Sequence, residues 1–281
     1  MQTISVIGAG TMGNGIAHTF AQHGFQVTLI DTDEKVLSGA IDTIRKNLDR
    51  QLRKEVINNE TYQETLKNIT TCTNLQAGVS RANLVVEAAT ESLAIKLDIF
   101  RDIDRLCSPQ TILASNTSSI SITKIASATQ RPDKVIGMHF MNPVPVMKLV
   151  EVIRGYSTSE ETISTIMNLA GKLGKEPVEA QDYPGFVANR ILMPMINEAI
   201  YAHYEGVAGI AEIDAVMKLG MAHPMGPLQL ADFIGLDVCL AILHILHQGF
   251  GNPKYAPCPL LVNMVNAGKL GKKSGQGFYQ Y

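Results

Sequence analysis

Residues 3–17 read TISVIGAGTMGNGIA, and this stretch decides the fold of the chain. Residues 3–7 form an apolar run typical of a β-strand, whereas the residues after Met12 repeat apolar side chains at helical spacing. The intervening GAGTMG segment, residues 8–13, places glycines where a strand has to turn sharply into a helix. The stretch therefore predicts a strand, a glycine-rich turn and a helix in direct succession.

The glycines of this segment fit the pattern G-x-G-x-x-G, which is typical of dinucleotide binding. Gly8 permits the tight turn, Gly10 lets the backbone approach a pyrophosphate, and Gly13 lets the helix pack closely on the strand. The pyrophosphate would meet the unpaired amides and the positive dipole end of the helix. A purely structural glycine turn is the alternative, but the strand before the turn and the helix after it favour a dinucleotide site.

An acidic residue follows the next predicted strand, over residues 26–30. Asp31 lies 18 residues beyond Gly13, where a carboxylate can accept hydrogen bonds from the adenosine ribose and repel a 2′-phosphate. No arginine occurs in the next residues, Thr32-Asp33-Glu34, so the sequence favours NAD over NADP. FAD uses the same fingerprint and is the alternative cofactor, although we find no further segments typical of FAD binding.

The chain changes character near residue 183. Up to about residue 182, strand-like runs alternate with amphipathic stretches, which predicts a Rossmann-type, doubly wound, mostly parallel sheet. After Tyr183-Pro184-Gly185 the periodicity is helical, and we expect Pro194 to kink the first helix or to remove one of its hydrogen bonds. We therefore predict a dinucleotide-binding domain over residues 1–182 and an all-α domain over residues 183–281. The predicted strands are residues 3–7, 26–30, 69–73, 83–88, 111–115, 134–140, 148–153 and 177–180, and the predicted helices are residues 12–23, 33–56, 93–106, 160–173, 186–203, 211–219, 227–248 and 259–267.

Composition excludes several classes of protein. The 281 residues are 46% hydrophobic and 18% charged, as expected of a well-packed globular protein. Lys and Arg total 24 against 26 Asp and Glu, which argues against a general nucleic-acid binder. Four widely spaced cysteines predict reduced thiols without a disulfide framework or a zinc site. The N-terminus has no signal-like segment, and no run of about 18 apolar residues is present, so we expect a cytoplasmic protein without a membrane span.

One histidine is a candidate general acid or base for nicotinamide chemistry on an alcohol, because the ordinary pKa of histidine lies near neutral pH. His139 lies near the end of a predicted strand, and residues 141–147 are too few for a crossover helix, so the next strand should return antiparallel. A turn centred near Pro145 would place His139 opposite Glu151, with Cβ atoms about 5 Å apart. A facing carboxylate fixes the imidazole tautomer and stabilises the imidazolium. A structural pair that braces a hairpin is the alternative.

The other histidines have simpler interpretations. His244 and His247 are spaced to share a helix face, but no third ligand is evident nearby, and we expect no metal site. Positions on the surface or at helix ends account for the remaining four, which are His18, His23, His203 and His223.

Two polar segments are expected near the same edge of the sheet. Residues 114–119 (ASNTSS) follow the fifth predicted strand, and Ser119 or Ser121 is suited to cap a helix that begins near Ile122. Asn189 lies in the first turn of the first helix after the domain boundary, from which a neutral amide could reach a cleft.

These motifs together resemble the 3-hydroxyacyl-CoA dehydrogenase family along essentially the whole chain. The resemblance implies reversible hydride transfer between NAD and C3 of an (S)-3-hydroxyacyl-CoA, which gives a 3-oxoacyl-CoA. It also implies a homodimer joined through the helical domain, which would help to line the substrate cleft. The matching stretches are residues 7–17, 86–91, 114–119, 139–151 (HFMNPVPVMKLVE), 184–190 (PGFVANR), 223–232 (HPMGPLQLAD) and 271–281 (GKKSGQGFYQY).

The resemblance also implies roles for individual residues. His139 would be the general acid/base and Glu151 would orient it, while Ser118 and Asn189 would hydrogen-bond the 3-oxygen and the thioester carbonyl of the substrate. The coenzyme A phosphates would meet a basic helical tail after the second strand. The implied NAD contacts are Gly8, Gly10, Thr11, Met12, Gly13, Asp31, Glu91, Lys96, Ser118, Asn142 and Lys273, and the implied coenzyme A contacts are Arg50, Lys54 and Ser118.

Two functional alternatives stay open. The resemblance implies a four-carbon substrate pair, (S)-3-hydroxybutanoyl-CoA and acetoacetyl-CoA. The acyl group could instead be another, as in 3-hydroxyadipyl-CoA, because each methylene changes binding by only about 1–3 kcal/mol. The chain could also be a non-catalytic, NAD-binding structural protein, since a fold does not by itself establish an activity.

Overall fold

An eight-stranded sheet organises the N-terminal part of the computed structural model, which describes residues 2–281. The strand order is β3-β2-β1-β4-β5-β6-β7-β8, and every neighbouring pair is parallel except β6 and β7. The first six positions have the order of a doubly wound dinucleotide-binding sheet, which confirms the predicted fold class. The strands are β1 (Thr3–Ile7), β2 (Gln26–Ile30), β3 (Ile69–Cys72), β4 (Leu84–Glu87), β5 (Ile112–Ser115), β6 (Val135–Phe140), β7 (Leu149–Arg154) and β8 (Glu176–Gln181).

Helices connect most of these strands. The chain forms one compact unit that ends at Asp182 and a second that begins at Tyr183. The helices of the first unit are α1 (Thr11–Gln22), α2 (Glu34–Arg53), α3 (Asn59–Lys67), α4 (Leu75–Val79), α5 (Leu93–Leu106), α6 (Ile122–Ala126) and α7 (Glu160–Lys172). The helices of the second unit are α8 (Ala188–Tyr204), α9 (Ile210–Gly220), α10 (Pro227–Ile234), α11 (Leu236–Phe250) and α12 (Pro259–Asn266).

The glycine-rich turn between β1 and α1 has the geometry that its sequence predicts. Gly8 has φ +94°, a left-handed conformation that favours glycine. A Cβ atom on Gly13 would lie 1.7 Å from the carbonyl oxygen of Gly8, so no larger residue fits there. Helix α1 then packs on the sheet, where the buried Phe20 ring meets Phe140 edge to face at 6.4 Å between centroids. The turn therefore brings α1 close to both β1 and β6.

Helices α3 and α4 were not predicted because their sequences have little amphipathic periodicity. In α3 the only buried residue is Thr65, and α4 has five residues, so neither helix has a sustained apolar period. Side-chain caps begin both helices, with Asn58 accepting a hydrogen bond from the Thr61 amide and Asn74 from the Ala77 amide. The predicted helix near Ile122 is present as α6, and Ser121 is its cap.

The prediction of one helix over residues 227–248 is wrong. The chain forms α10 and α11 instead, bent by 97° at Gly235, which has φ +103°. Glycine adopts positive φ without strain, so the backbone can break the helix at Gly235. The helical spacing of apolar residues in the sequence continues across this break and does not indicate it. Helix α8, by contrast, runs through Pro194.

The C-terminal unit has its own apolar core, and the last residues of the chain complete it. Asp232 accepts hydrogen bonds from the amides of Phe278 and Tyr279, each at 2.9 Å. Asp214 accepts hydrogen bonds from the amides of Leu228 and Gln229 at the start of α10. Core residues include Met193, Ile196, Ile200, Leu228, Leu243, Leu246, Leu261 and Phe278.

Among residues 2–281, no single helix has the length and apolar composition needed to cross a bilayer. Helices α10 and α11 reach that length and composition only as a bent pair.

The prediction of a surface or helix-end position for His18 is also wrong, because the side chain lies wholly within the first unit. Burial lowers the pKa of the imidazole from 6.5 to about 4. Positive charge on His23 and Lys175 lowers the pKa further. The imidazole is therefore neutral in the folded protein at neutral pH.

The buried imidazole makes stability depend on pH. The unfolded chain protonates His18 near pH 6.5 and the folded protein near pH 4, so protons favour the unfolded state as the pH falls through this window. The neutral imidazole contributes about 3 kcal/mol to the free energy of unfolding above pH 6.5, and this contribution is lost as the pH falls from 6.5 through 4. His18→Gln should flatten the dependence in urea titrations at pH 7, 5.5 and 4. His244→Gln, at an exposed histidine, should not flatten it, and an equal effect of the two variants would contradict the assignment.

Candidate active site

The carboxyl ends of the parallel strands meet at one edge of the sheet and collect the polar segments there. The glycine turn follows β1, Asp31 follows β2, residues 88–91 follow β4 and residues 116–119 follow β5. Residues 141–147, which together with Lys148 join β6 to β7, emerge at the same edge. This edge is where doubly wound sheets bind ligands.

The start of this edge fits a dinucleotide. The N-terminus of α1 has no side-chain cap, so no side chain competes for its first amides. A Cβ atom built on Gly10 would have nothing within 4 Å, which leaves room for a pyrophosphate beside the turn. Asp31 lies next to the same turn, because its Oδ2 atom accepts a hydrogen bond from the Ala9 amide at 2.8 Å. Its Oδ1 atom accepts from the Asp33 amide at 3.2 Å, which sets the direction of the carboxylate.

The hairpin of β6 and β7 has the predicted register. His139 lies directly opposite Glu151, and the two side chains are 8% and 2% exposed. The Nδ1 atom of His139 is 2.7 Å from Oε2 of Glu151. A carboxylate at this distance holds a proton on Nδ1, so the lone pair of the neutral ring lies on Nε2. The pair can therefore accept and return a proton at Nε2 while the carboxylate stabilises the charged ring.

The ends of β5 and β6 are tied to each other beside this pair. The Oδ1 atom of Asn116 accepts a hydrogen bond from the Phe140 amide at 2.9 Å, and the Asn116 amide donates to the carbonyl of Glu87 at 2.8 Å. The residue after His139 is thus held directly by the polar segment that contains Ser118.

The carboxylate of Glu91 organises that polar segment. It accepts hydrogen bonds from Thr117 Oγ1 at 2.6 Å, from the Ser118 amide at 3.0 Å and from Ser119 Oγ at 3.0 Å. Ser118 Oγ lies 3.3 Å from the same oxygen. Burial opposes the charge on Glu91, but the nearby Lys96 ammonium and these donors outweigh it and lower the pKa of the carboxyl group. Glu91 therefore stays ionised and fixes the turn around Ser118.

A buried ion pair under this turn was not identified from the sequence. Lys96 Nζ lies 2.7 and 2.9 Å from the two carboxylate oxygens of Glu87, and both residues are almost fully buried. Glu87 also accepts hydrogen bonds from Ser115 Oγ at 2.6 Å and from the Ala89 amide at 2.7 Å. Lys96 Nζ is 3.4 Å from Glu91, so the pair joins β4, β5 and α5 beneath the Ser118 turn. A carboxylate ending the otherwise apolar strand LVVE is the signal that could have identified it.

The remaining residues named from the sequence lie in different surroundings. Arg50 and Lys54 are exposed at the C-terminal end of α2, and Asn142 is exposed in the loop after β6. In the C-terminal unit, Asn189 is buried in the first turn of α8, and Lys273 Nζ forms an ion pair with Asp237 at 2.5 Å. No group of three or more side chains suited to a metal ion occurs among residues 2–281.

Comparison with known proteins agrees with this arrangement. The sequence-family model for the 3-hydroxyacyl-CoA dehydrogenase NAD binding domain matches residues 3–183. The family model for the 3-hydroxyacyl-CoA dehydrogenase C-terminal domain matches residues 185–281. The chain belongs to the 3-hydroxyacyl-CoA dehydrogenase family. It is accordingly an NAD-dependent oxidoreductase, which confirms the predicted family, enzyme class and cofactor and excludes the FAD alternative.

Similar proteins cover the whole chain. A probable 3-hydroxybutyryl-CoA dehydrogenase of Bacillus subtilis is 55% identical over 100% of this chain and 98% of its own length. A 3-hydroxybutyryl-CoA dehydrogenase of Bradyrhizobium diazoefficiens is 50% identical over 100% of this chain and 96% of its own. The crystal structure of (S)-3-hydroxybutyryl-CoA dehydrogenase from Ralstonia eutropha superposes with a TM-score of 0.97 at 47% identity, covering 100% of this chain and 99% of that one.

The Glu87–Lys96 pair generates a stability prediction. Glu87→Gln removes the buried carboxylate that contacts Lys96 Nζ through both oxygens and leaves only Glu91 at 3.4 Å, so the free energy of unfolding in urea should fall by about 3–5 kcal/mol. Glu160→Gln removes an exposed carboxylate that pairs with Arg154 and should cost less than about 1 kcal/mol. The double variant with Glu87→Leu and Lys96→Met should recover most of the loss, because neither charge is then buried alone. Equal losses for Glu87→Gln and Glu160→Gln would contradict a buried pair.

Proposed function

We propose that this enzyme interconverts (S)-3-hydroxybutanoyl-CoA and acetoacetyl-CoA by reversible hydride transfer at C3. The observation that carries the proposal is the buried His139–Glu151 hydrogen bond of 2.7 Å at the same sheet edge as the dinucleotide fingerprint. The choice of a four-carbon acyl group rests on the names of the relatives, which are 3-hydroxybutyryl-CoA dehydrogenases.

In this proposal His139 moves the proton of the alcohol. Bound NAD supplies the acceptor for the hydride that leaves C3. His139 Nε2 takes the hydroxyl proton during oxidation and returns it during reduction. Glu151 stabilises the imidazolium through Nδ1, so the proton stays available at Nε2 without diffusing to solvent.

Ser118 and Asn189 are proposed to orient the substrate. A serine hydroxyl and a neutral amide can donate hydrogen bonds to the 3-oxygen and to the thioester carbonyl, and neither group competes with His139 for the proton. Glu91 supports this role because it holds the Ser118 backbone through a hydrogen bond of 3.0 Å.

The cofactor contacts follow from the fingerprint and the family pattern. We propose that the turn at residues 8–13 holds the pyrophosphate and that Asp31 accepts the adenosine ribose hydroxyls. Glu91, Lys96, Ser118, Asn142 and Lys273 are proposed to complete the NAD site. Lys96 acts in part through Glu91, because its ammonium is buried between Glu87 and Glu91.

Binding of the coenzyme A phosphates is assigned to the basic end of α2. Arg50 and Lys54 are exposed there beside Arg45, Lys46 and Arg53, and phosphate groups bind such clusters of cations.

The C-terminal unit is proposed to form a homodimer interface. Two of its apolar side chains are largely exposed, because Ile191 in α8 is 67% exposed and Leu219 in α9 is 87% exposed. A monomer mass of 30.5 kDa in sedimentation at micromolar concentration would contradict the homodimer.

Replacing the proposed general acid tests the function directly. His139→Gln should lower kcat for acetoacetyl-CoA reduction by about 10²–10⁴-fold, because no group then donates the proton, while NADH binding persists. NADH absorbance gives the rate, and fluorescence titration gives the NADH affinity. His244→Gln should keep the wild-type rate.

Two results would contradict parts of this proposal. A near wild-type rate in His139→Gln would remove the role of His139. A wild-type protein that binds NADH but does not oxidise it in the presence of acetoacetyl-CoA would overturn the proposed substrate. A series of kcat/KM values for 3-oxoacyl-CoA chains of increasing length then separates butanoyl from adipyl and longer substrates.

A further inference from the structure

A buried lysine lies behind the hairpin that carries the candidate general acid. Lys175 precedes β8, and its side chain is only 8% exposed. Its Nζ atom donates hydrogen bonds to the carbonyls of Val144 at 2.5 Å and Met147 at 2.8 Å. Both carbonyls belong to residues 141–147, which together with Lys148 form the loop between β6 and β7, so one ammonium clamps this loop at its middle and near its end.

The charge of this ammonium has no counter-ion. Within residues 2–281 no carboxylate lies within 4.0 Å of Lys175 Nζ, and burial alone lowers its pKa. The nearby titratable group from α1 is His18, which is neutral at pH 7. Burying a cation against carbonyl groups costs free energy that an apolar side chain would not cost. The lysine therefore needs a reason other than the stability of the fold.

The clamped loop also touches the dinucleotide helix. Val144 is buried against α1, where a Cβ atom added to Gly15 would lie 2.9 Å from Val144 Cβ. The amides of Val146 and Met147 both donate to the Pro143 carbonyl, so residues 143–147 form a compact turn. Lys175 and Gly15 thus hold this turn from two sides, between α1 and the strand that carries His139.

We propose that Lys175 is a positioning residue for the active site: by clamping residues 141–147 it sets the place of His139 and Asn142 relative to the dinucleotide bound at α1. The inference rests on the proposed function, since it assigns the hairpin to catalysis. A small displacement of the reacting groups costs up to about 100-fold in rate even when the altered residue is remote from them. Lys175 acts through the loop and touches neither substrate nor cofactor in this assignment.

The test uses the full-length enzyme with Lys175→Met, which keeps an unbranched side chain and removes the ammonium. We expect kcat for acetoacetyl-CoA reduction to fall roughly 10- to 100-fold with KM for acetoacetyl-CoA little changed. The deuterium isotope effect on kcat, measured with NADH labelled at the transferred position, should rise because hydride transfer becomes slower than product release. A variant that only unfolds more easily would lose active protein without changing this isotope effect.

A matched control lies at the other end of the same strand. Thr158 is buried and donates a hydrogen bond from Oγ1 to the Val135 carbonyl at 2.6 Å, at the start of β6. Thr158→Val also removes a buried hydrogen bond to β6, but away from the loop, and should keep the wild-type kcat and isotope effect. Equal losses in Thr158→Val and Lys175→Met, or a folded Lys175→Met with wild-type values, would overturn the proposal.

Two further measurements keep the test decisive. If Lys175→Met does not fold, Gly15→Ala displaces the same loop through Val144 with Lys175 intact, and it should lower kcat and raise the isotope effect; wild-type values would overturn the proposal. Hydrogen exchange at the Val146 and Met147 amides should be faster in Lys175→Met than in Thr158→Val. This exchange does not depend on turnover, so it distinguishes failure of the clamp from failure of the proposed function.

Discussion

The register of one hairpin is the constraint on which the proposed chemistry depends. Only when β6 and β7 pair with His139 opposite Glu151 does the buried carboxylate reach Nδ1 at 2.7 Å. A slip of one residue would turn one of the two side chains to the other face of the sheet and leave a buried polar group without its partner. The loop of eight residues, the Asn116 bond to the Phe140 amide and the Lys175 clamp all act on this register.

The buried charges of the first unit lie at the edge of the sheet where side chains need fixed positions. The Glu87–Lys96 pair lies beneath the turn that contains Ser118, and Lys175 lies behind the loop that follows His139. Each ion loses hydration that its partners only partly replace, so none is an efficient way to stabilise a fold. Their hydrogen bonds are directional, however, and they specify the positions of backbone segments better than apolar contacts do. The desolvation of these ions thus lowers the stability of the fold near the site, and the burial of apolar side chains in the core offsets this loss.

Local sequence patterns correctly predicted the elements whose conformation is set by residues close to each other in the sequence. The strand, turn and helix of residues 3–22 follow from periodicity and glycine spacing, and the antiparallel return of β7 follows from the length of one loop. The prediction of a single helix over residues 227–248 failed because a change in φ at Gly235 leaves the apolar period intact. Helices α3 and α4 were missed because they depend on asparagine caps and on packing, with little amphipathic period of their own.

The sequence by itself determined the dinucleotide turn, the acid at the end of β2 and the facing histidine and glutamate, since each rests on spacing within a short segment. Only the tertiary structure decided which titratable groups lose water. His18 was predicted outside the core and lies within it, and Glu87 was not recognised as the partner of Lys96. Nothing near Lys175 in the sequence indicates that the carbonyls of Val144 and Met147 accept its hydrogen bonds. The physical reason is that desolvation depends on every segment packed around a group, and those segments come from distant parts of the chain.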